Sequence, residues 1–182
     1  MAPGRIILSE QKLNLVLDRL THQLIEHHGH FENTCIVGIQ PRGIALADRI
    51  VSRLETLGGI SGIKYGKLDI TFHRDDFRTR NEPLKASPTH MDFLVHNKTV
   101  ILVDDVLYTG RTVRAALDEI ADFGRPRRVL LAVLVDRGGR ELPIAADVTG
   151  LMVATTPDDR VMVSVSELDE IDAVDLVRGE AT

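Results

Sequence analysis

The stretch VILVDDVLYTGRT, from Val100 to Thr112, determines the fold prediction for this chain. Four apolar residues predict a buried strand, and they are followed by two acids and a turn rich in small and hydroxylic residues. The next segment, VRAALDEI, has its apolar residues at helical spacing. A strand that leads through a short turn into a helix is a unit of an open α/β sheet. Ligands bind at the carboxyl edge of such sheets.

The turn from Tyr108 to Thr112 has the composition of a phosphate site. The N–H groups and the dipole at a helix start attract anions, and Gly110 permits close approach of the backbone. The order of residues is not that of a Walker A loop, GxxxxGK[ST]. Asp104 and Asp105 suit the vicinal hydroxyls of a sugar, or hydrated magnesium, beside the phosphate. The alternative is an ordinary strand-to-helix turn whose acids cap the helix.

Composition is consistent with one compact enzyme domain. The chain has 182 residues, of which 43% are hydrophobic and 27% charged. A net charge of -5 argues against a generally basic surface for nucleic acid, although a local basic patch remains compatible with it. The single cysteine, Cys35, lies in an apolar run and is expected in the core. No secretory signal and no apolar run long enough to cross a bilayer are found, which predicts a cytoplasmic protein with no membrane contact.

Strand and helix patterns alternate along the chain. A helix is predicted after Ser9, a buried strand at TCIVGIQ, and a second helix that ends at Gly58 and Gly59. YGKLDITFHRDD predicts a strand that leaves the sheet, and VMVSVSE predicts a half-exposed strand. The acidic segment ELDEIDAVD is expected to form a solvent-exposed face. The pattern predicts one α/β domain over residues 1–182, with a mostly parallel central sheet flanked by helices.

The signature run resembles the PRPP-binding motif of the type I phosphoribosyltransferases. In that superfamily the two acids hold the ribose hydroxyls, and the following turn holds the 5′-phosphate. The resemblance therefore implies catalytic roles for Asp104 and Asp105. It also implies a PRPP-binding segment composed of Val106, Leu107, Tyr108, Thr109, Gly110, Arg111 and Thr112.

Further segments narrow the resemblance to the PyrR family: LDITFHRDDF, DFGRPRRVLLAVLVDRGGRELPI and VMVSVSELDEIDAVDLV. The similarity runs from about Ile6 to Val177. Tyr108 stands where purine phosphoribosyltransferases usually have an aspartate that acts as general base, so a purine enzyme is the weaker interpretation. The family implies a uracil phosphoribosyltransferase that converts PRPP and uracil to UMP and pyrophosphate. It also implies a small base-binding hood at about 137–165, a mobile lid loop at about 73–90, and a homo-oligomer.

Magnesium is the expected cofactor. The resemblance implies that it is held through substrate oxygens, with no direct protein ligand expected beyond, at most, Asp104 and Asp105.

The QPRG turn resembles the pyrophosphate loop of the superfamily. This implies that Pro41, Arg42 and Gly43 bind pyrophosphate and that Arg42 has a catalytic role. A plain strand-to-helix turn is the alternative. The family has threonine where this chain has Pro41, and the isomer of the Gln40–Pro41 bond stays open. In the predicted lid, Arg74 is the expected additional pyrophosphate ligand.

Base recognition is expected from Arg137, which follows a buried strand at the same sheet edge as Asp104. The alternative is a surface arginine paired with Asp136. Val161 matches an apolar family position that flanks the base, and this assignment rests on the resemblance alone.

The chain departs from the family where RNA would bind. Ala145 and Leu151 replace an arginine and a lysine, and Gly139 replaces the histidine next to the retained Arg140. On the first helix, Asp18 replaces a threonine and adds a charge that repels phosphate. These differences predict weak RNA binding. Two functions remain open: a PRPP-dependent transferase acting on uracil, and a UMP- or PRPP-sensing RNA-binding regulator of pyrimidine genes with little catalysis.

Overall fold

The computed structural model of the protein describes residues 4–29, 31–70 and 89–179. The elements in chain order are β1 (Arg5–Ser9), α1 (Glu10–His28), β2 (Thr34–Ile39), α2 (Arg42–Gly58), β3 (Lys64–Leu68), β4 (Thr99–Leu107), α3 (Arg111–Ala121), β5 (Arg128–Asp136), β6 (Val148–Met152), β7 (Arg160–Ser164), α4 (Ser166–Asp169) and β8 (Ala173–Val177).

Five strands form a central sheet in the order β3-β2-β4-β5-β6, and every neighbouring pair is parallel. The apolar run of β2 is buried along its whole length, as expected for a strand covered by helices on both faces. The chain continues from β2 to β3 on one side, and from β4 to β5 on the other. The carboxyl ends of β2 and β4 therefore lie at the topological switch point, where open α/β sheets bind ligands.

The helices cover the two faces of this sheet. α1 and α2 pack with Ile36, Ile101 and Val103 in one apolar cluster, and α3 packs with Val37 and Leu102 in the other. The leucines that predicted α1 line its buried face: Leu13, Leu17, Leu20 and Leu24. The prediction of a parallel sheet between helices is confirmed.

A second sheet is antiparallel, in the order β1-β8-β7, and it shares the cluster of α1 and α2 through Leu8, Val163 and Val174. The short helix α4 lies between β7 and β8. Residues 137–165, predicted as one hood, are divided between the sheets, because β6 joins the central sheet and β7 joins the small one.

One strand prediction was wrong. The segment that begins near Tyr65 was expected to leave the sheet, whereas β3 pairs in parallel with β2 as the edge strand of the central sheet. Its burial alternates, with Gly66 and Leu68 buried. Arg74 and nearly all of the predicted lid lie outside the described residues. In the described part of the chain, no helix combines the length and the apolar character needed to cross a membrane.

Candidate functional site

Two glycines bring the QPRG turn against the carboxyl end of β4. A Cβ atom on Gly38 would lie 2.6 Å from the carbonyl oxygen of Gly43, and one on Gly43 would lie 2.5 Å from that of Val103. A side chain at Gly38 would therefore displace the start of α2 from β2, and one at Gly43 would push the turn away from β4. The Gln40–Pro41 bond is cis. Because Gly43 packs on β4, Arg42 begins α2 next to the strand that carries Asp104.

The two acids lie inside β4, which continues to Leu107, and not after the strand end as the sequence suggested. Asp104 is 4% exposed and Asp105 is half-buried. The N–H of Asp105 donates to Oδ1 of Asp104 at 2.9 Å, and the N–H of Val106 donates to Oδ1 of Asp105 at 2.9 Å. The alternative that the acids cap α3 is wrong, because the N-cap of α3 is Gly110 and it has no side-chain hydrogen bond.

The predicted phosphate turn is held from outside. Gly110 has φ +92°, and the position of a Cβ on it would lie 3.3 Å from Cδ1 of Ile144. The carbonyl of Thr109 accepts N–H groups from Glu141 and Leu142, both at 3.0 Å. The first N–H groups of a helix have no partners within the helix, so those at the start of α3 suit an anion. The segment after β5 fixes the turn through contacts on its other side.

Arg137 follows β5 at this same edge, and its backbone N–H donates to the carbonyl of Leu107 at 3.1 Å. The side chain is buried and stacks on the ring of Tyr108, with Cζ 3.9 Å from the ring centroid. It donates to Oγ1 of Thr155 at 3.2 Å and to the carbonyl of Thr156 at 3.0 Å. The surface alternative is wrong, because Arg137 is 7% exposed and Asp136 pairs with a different arginine.

That arginine, Arg140, connects the loop after β5 to the predicted phosphate turn. It donates to the carbonyls of Ile144 and Tyr108, both at 2.9 Å, and to the carboxylate of Asp136. Sequence comparison noted Arg140 only for its match to the family, because nothing in the local pattern shows which carbonyls it reaches. Arg137 borders a cavity of about 490 Å³. Its lining consists of residues 136–139 and 152–155.

Gly139 makes room for the ring of Tyr108. Its φ is +71°, and a Cβ at this position would lie 2.4 Å from Cε2 of Tyr108. The glycine that replaces the family histidine is therefore coupled to the stacking of Tyr108 on Arg137 in this structure.

A partner of Arg42 was missed by sequence reasoning. Asp169 of α4 accepts two hydrogen bonds from the Arg42 guanidinium, at 2.9 and 3.2 Å. Glu167 and Asp172 bind Arg49 of the same helix. The expectation that ELDEIDAVD is a solvent-exposed face holds for Glu167, which is exposed although it is paired, and was wrong for the partly buried Asp169 and Asp172. The N–H of Val165, together with Arg42, holds the pKa of Asp169 below its ordinary value against the opposing effect of desolvation.

Val161 lies in β7 opposite Leu176, half-buried, and packs against the core that the two sheets share. The cavity beside Arg137 has other lining residues, so a contact of Val161 with a base stays a prediction. Within the described ranges, no group of three or more histidine, cysteine or acidic side chains could hold a metal ion. The adjacent carboxylates of Asp104 and Asp105 are the donor set that fits magnesium carried by a substrate.

Comparison with known proteins agrees with this geometry. The phosphoribosyl transferase domain family matches residues 5–170. Hypoxanthine phosphoribosyltransferases from Trypanosoma cruzi and Staphylococcus aureus superpose with TM-scores of 0.71 and 0.68. They cover 97% of this chain in each case, and 97% and 92% of their own chains. Their identities of 13% and 16% show the fold alone.

Curated relatives are much closer in sequence. The bifunctional protein PyrR of Chloroflexus aurantiacus is 47% identical over 181 residues, which span 100% of this chain and 99% of that protein. The bifunctional protein PyrR of Clostridioides difficile is 45% identical over 168 residues, 92% of this chain and 94% of its own. Both matches confirm the resemblance seen in the sequence. The chain is a phosphoribosyltransferase-fold protein and belongs to the PyrR family.

Proposed function

We propose that this protein transfers the phosphoribosyl group of PRPP to uracil, giving UMP and pyrophosphate. The observation that carries the proposal is the meeting of three turns at the carboxyl edge of the central sheet. Gly43 packs on the carbonyl of Val103, and Arg137 donates its N–H to the carbonyl of Leu107. The acid pair, the predicted phosphate turn, Arg42 and the loop that carries Arg137 are thereby brought to one edge of the central sheet.

Each part has a chemical task in this proposal. Asp104 and Asp105 hold the ribose hydroxyls, and the turn from Tyr108 to Thr112 binds the 5′-phosphate. Cleavage at the anomeric carbon leaves pyrophosphate and passes through an oxocarbenium-like state, so Arg42 stabilises the departing anion. Magnesium, when bound with PRPP, neutralises pyrophosphate charge, and the acid pair suits its water ligands.

The base side favours a small carbonyl-rich ring. Nη1 of Arg137 has no hydrogen-bond partner among residues 4–29, 31–70 and 89–179, and Arg137 lines the cavity. It is therefore available as a donor to a uracil carbonyl. Tyr108 stands where purine phosphoribosyltransferases usually have the aspartate that acts as general base, and its ring stacks on Arg137. A tyrosine at position 108 offers no carboxylate to a purine, which supports uracil over hypoxanthine.

The test is a transfer assay with radiolabelled PRPP against uracil, orotate and hypoxanthine, each with and without magnesium. We expect UMP from uracil only when magnesium is present, and little product from the other two bases. Preferred turnover of hypoxanthine would contradict the base assignment. Normal PRPP binding without reaction of any pyrimidine would instead favour the sensing function.

We further infer that RNA binding is weak. Arg140, the cation retained from the family pattern, uses its guanidinium on the carbonyls of Tyr108 and Ile144 and on Asp136. Asp18 forms an ion pair with Arg53, N–O 2.7 Å, so its repulsion of phosphate is smaller than the sequence alone suggested. The phosphate contacts that this chain lacks are therefore those of the arginine and the lysine that Ala145 and Leu151 replace.

Titration of a pyrimidine-operon leader hairpin, with and without UMP, at several salt concentrations tests this inference. Two lost phosphate contacts lower the slope of log affinity against log salt by about 0.7–0.9 each. Tight, sequence-specific and UMP-enhanced binding at physiological salt would contradict it. Such a result would direct attention to the exposed cations Arg125, Arg127 and Arg128.

A further inference from the structure

The short helix α4 faces α2 through two arginines. Arg42 and Arg49 are seven residues apart, which is close to two helical turns, so both side chains leave the same face of α2. Arg49 binds Glu167 at 2.6 Å and Asp172 at 2.8 Å. Arg42, at the start of the helix, binds Asp169. The small sheet is thereby tied to the helix that carries the predicted pyrophosphate turn.

The contact between Arg42 and Asp169 uses one edge of the guanidinium. Nε donates to Oδ2 at 3.2 Å and Nη2 donates to Oδ1 at 2.9 Å. Oδ2 of Asp169 also accepts the N–H of Val165 at 3.1 Å, and the N–H of Asp169 donates to the carbonyl of Val165 at 2.8 Å. The carboxylate is therefore fixed by its own helix before it meets Arg42.

A second edge of the guanidinium, formed by Nη1 and Nη2, has N–H donors that Asp169 does not use. A guanidinium has five N–H donors, and Asp169 accepts two of them. Nη1 has no partner in the part of the chain that the structure describes, and the Arg42 side chain is 32% exposed. The edge formed by Nη1 and Nη2 matches two phosphate oxygens in a bidentate contact. Asp169 therefore orients Arg42 without covering the donors that an anion needs.

We propose that Asp169 is a positioning residue for pyrophosphate, which fixes the Arg42 guanidinium with its Nη1–Nη2 edge available to the anion. This rests on the proposed role of Arg42. An unrestrained arginine has many rotamers, and restricting it before the anion binds removes an entropic cost of binding. The negative charge of Asp169 opposes pyrophosphate, but its carboxylate lies on the neighbouring Nε–Nη2 edge, where two guanidinium N–H groups bind it.

The first experiment measures binding of magnesium pyrophosphate and of PRPP to the full chain by calorimetry, which requires no base. Asp169→Asn should weaken pyrophosphate and PRPP about tenfold, the order expected from freeing one rotamer-rich side chain. UMP affinity should change less than about twofold, since UMP carries no pyrophosphate. Asp169→Glu, which keeps the charge, should restore part of the loss.

Glu167→Gln is the matched control. Like Asp169→Asn, this substitution removes one negative charge from α4. The residue it changes, Glu167, contacts Arg49 and not Arg42. We expect it to leave pyrophosphate affinity unchanged. Equal losses in this variant and in Asp169→Asn would overturn the proposal, because they would reflect charge or helix stability alone. Tighter pyrophosphate binding in Asp169→Asn would also overturn it, since Asp169 would then be a competitor.

A double-mutant cycle separates positioning from folding. In an Arg42→Ala background, Asp169→Asn should cause no further loss of pyrophosphate affinity. The same loss in both backgrounds would overturn the proposal while leaving the role of Arg42 intact. Normal pyrophosphate binding by Arg42→Ala would overturn the roles of both residues. Failure of uracil to react would instead affect only the base assignment, since binding is measured without it.

Discussion

The predicted phosphate turn after β4 and the predicted pyrophosphate turn before α2 lie at the same sheet edge but are held in different ways. The phosphate turn is built from backbone: Thr109 accepts two N–H groups, and Gly110 has a positive φ. The key side chain of the pyrophosphate turn, Arg42, is held by Asp169, 127 positions away in the sequence. Both turns therefore depend on distant segments: residues 141 and 142 hold the backbone of the first turn, whereas the carboxylate of Asp169 holds a side chain of the second.

This difference explains which turn could be recognised from sequence in detail. An acid pair, two threonines and one glycine in fixed order form a pattern that is visible within thirteen residues, Val100–Thr112. A single ion pair between remote segments has no such pattern. Perturbing each turn separately should therefore give different losses, and the expected effects below decrease from the acid pair to the supporting loop.

The largest effect is expected from replacing both acids of β4. Asp104→Asn with Asp105→Asn should weaken PRPP at least about 100-fold, because each removes charge-assisted hydrogen bonds that contribute about 1.5–3 kcal/mol. Calorimetry with magnesium present measures the loss. Asp118→Asn, at an exposed ion pair of α3, is the control and should bind PRPP normally. Unchanged affinity in a folded double variant would rule out the ribose site.

Arg42→Ala should lower turnover by about 10- to 100-fold, the value of one charge-assisted contact to the leaving group. Its effect on UMP affinity should be much smaller, since UMP carries no pyrophosphate. Steady-state kinetics and UMP titration give the two numbers. Arg49→Ala is the control variant, because it removes an arginine of α2 that lies about two helical turns from Arg42. Equal losses of turnover and UMP affinity would assign Arg42 some other task.

Gly139→Ala should weaken UMP about tenfold, because its Cβ would displace the Tyr108 ring from Arg137 and such stacking contributes about 0.5–2 kcal/mol. Gly138→Ala is a close control. Both glycines have φ +71°, so both variants share the backbone strain, but nothing lies within 4 Å of a Cβ on Gly138. Only the first variant should lose UMP affinity beyond that strain. Equal losses would show that the ring contact is unimportant.

The smallest effect concerns acid stability of the loop beneath Arg137. The N–H of Thr156, with the Arg178 guanidinium and the Gly179 N–H, holds the pKa of Asp159 below its ordinary value, although burial opposes this. The carboxylate therefore stabilises the fold at pH values above about 4, its ordinary pKa, and this contribution is lost as the pH falls further. Asp159→Asn should lower Tm at pH 7 and reduce the Tm difference between pH 7 and pH 3. A parallel shift of the whole Tm curve would contradict this.

Sequence periodicity was sufficient for the framework. The apolar runs of β2, β4 and β5 and the leucine face of α1 correspond to the observed elements, because burial imposes these patterns locally. It was insufficient for the small sheet. β1 pairs with β8, from the opposite end of the chain, and no local pattern shows such a partner.

The same limit applies to the site. Asp104, Asp105 and the Tyr108 turn could be named as candidates because their residue types are contiguous in sequence, and their roles stay predictions. Asp169 was predicted to be solvent-exposed, because sequence does not distinguish the acids of this segment that pair with a distant arginine from those that do not. The fold brings Arg42 and Arg49 to two of them. Arg137 was placed at the correct edge, but its burial depends on Thr155 and Thr156, which belong to a later loop.

The pairing of β1 with β8 also determines the order in which the molecule can be completed. Leu176, the partner of Arg5, is synthesised near the end of the chain, whereas β2, β4 and β5 have all been synthesised once Asp136 is added. The central sheet can therefore collapse first, on the ribosome, while β1 remains without its neighbour. α4 directly precedes β8 in the chain, so the ion pair between Asp169 and Arg42 can form only at a late stage of folding. A nascent chain would acquire its phosphate turn before its pyrophosphate turn is fully ordered.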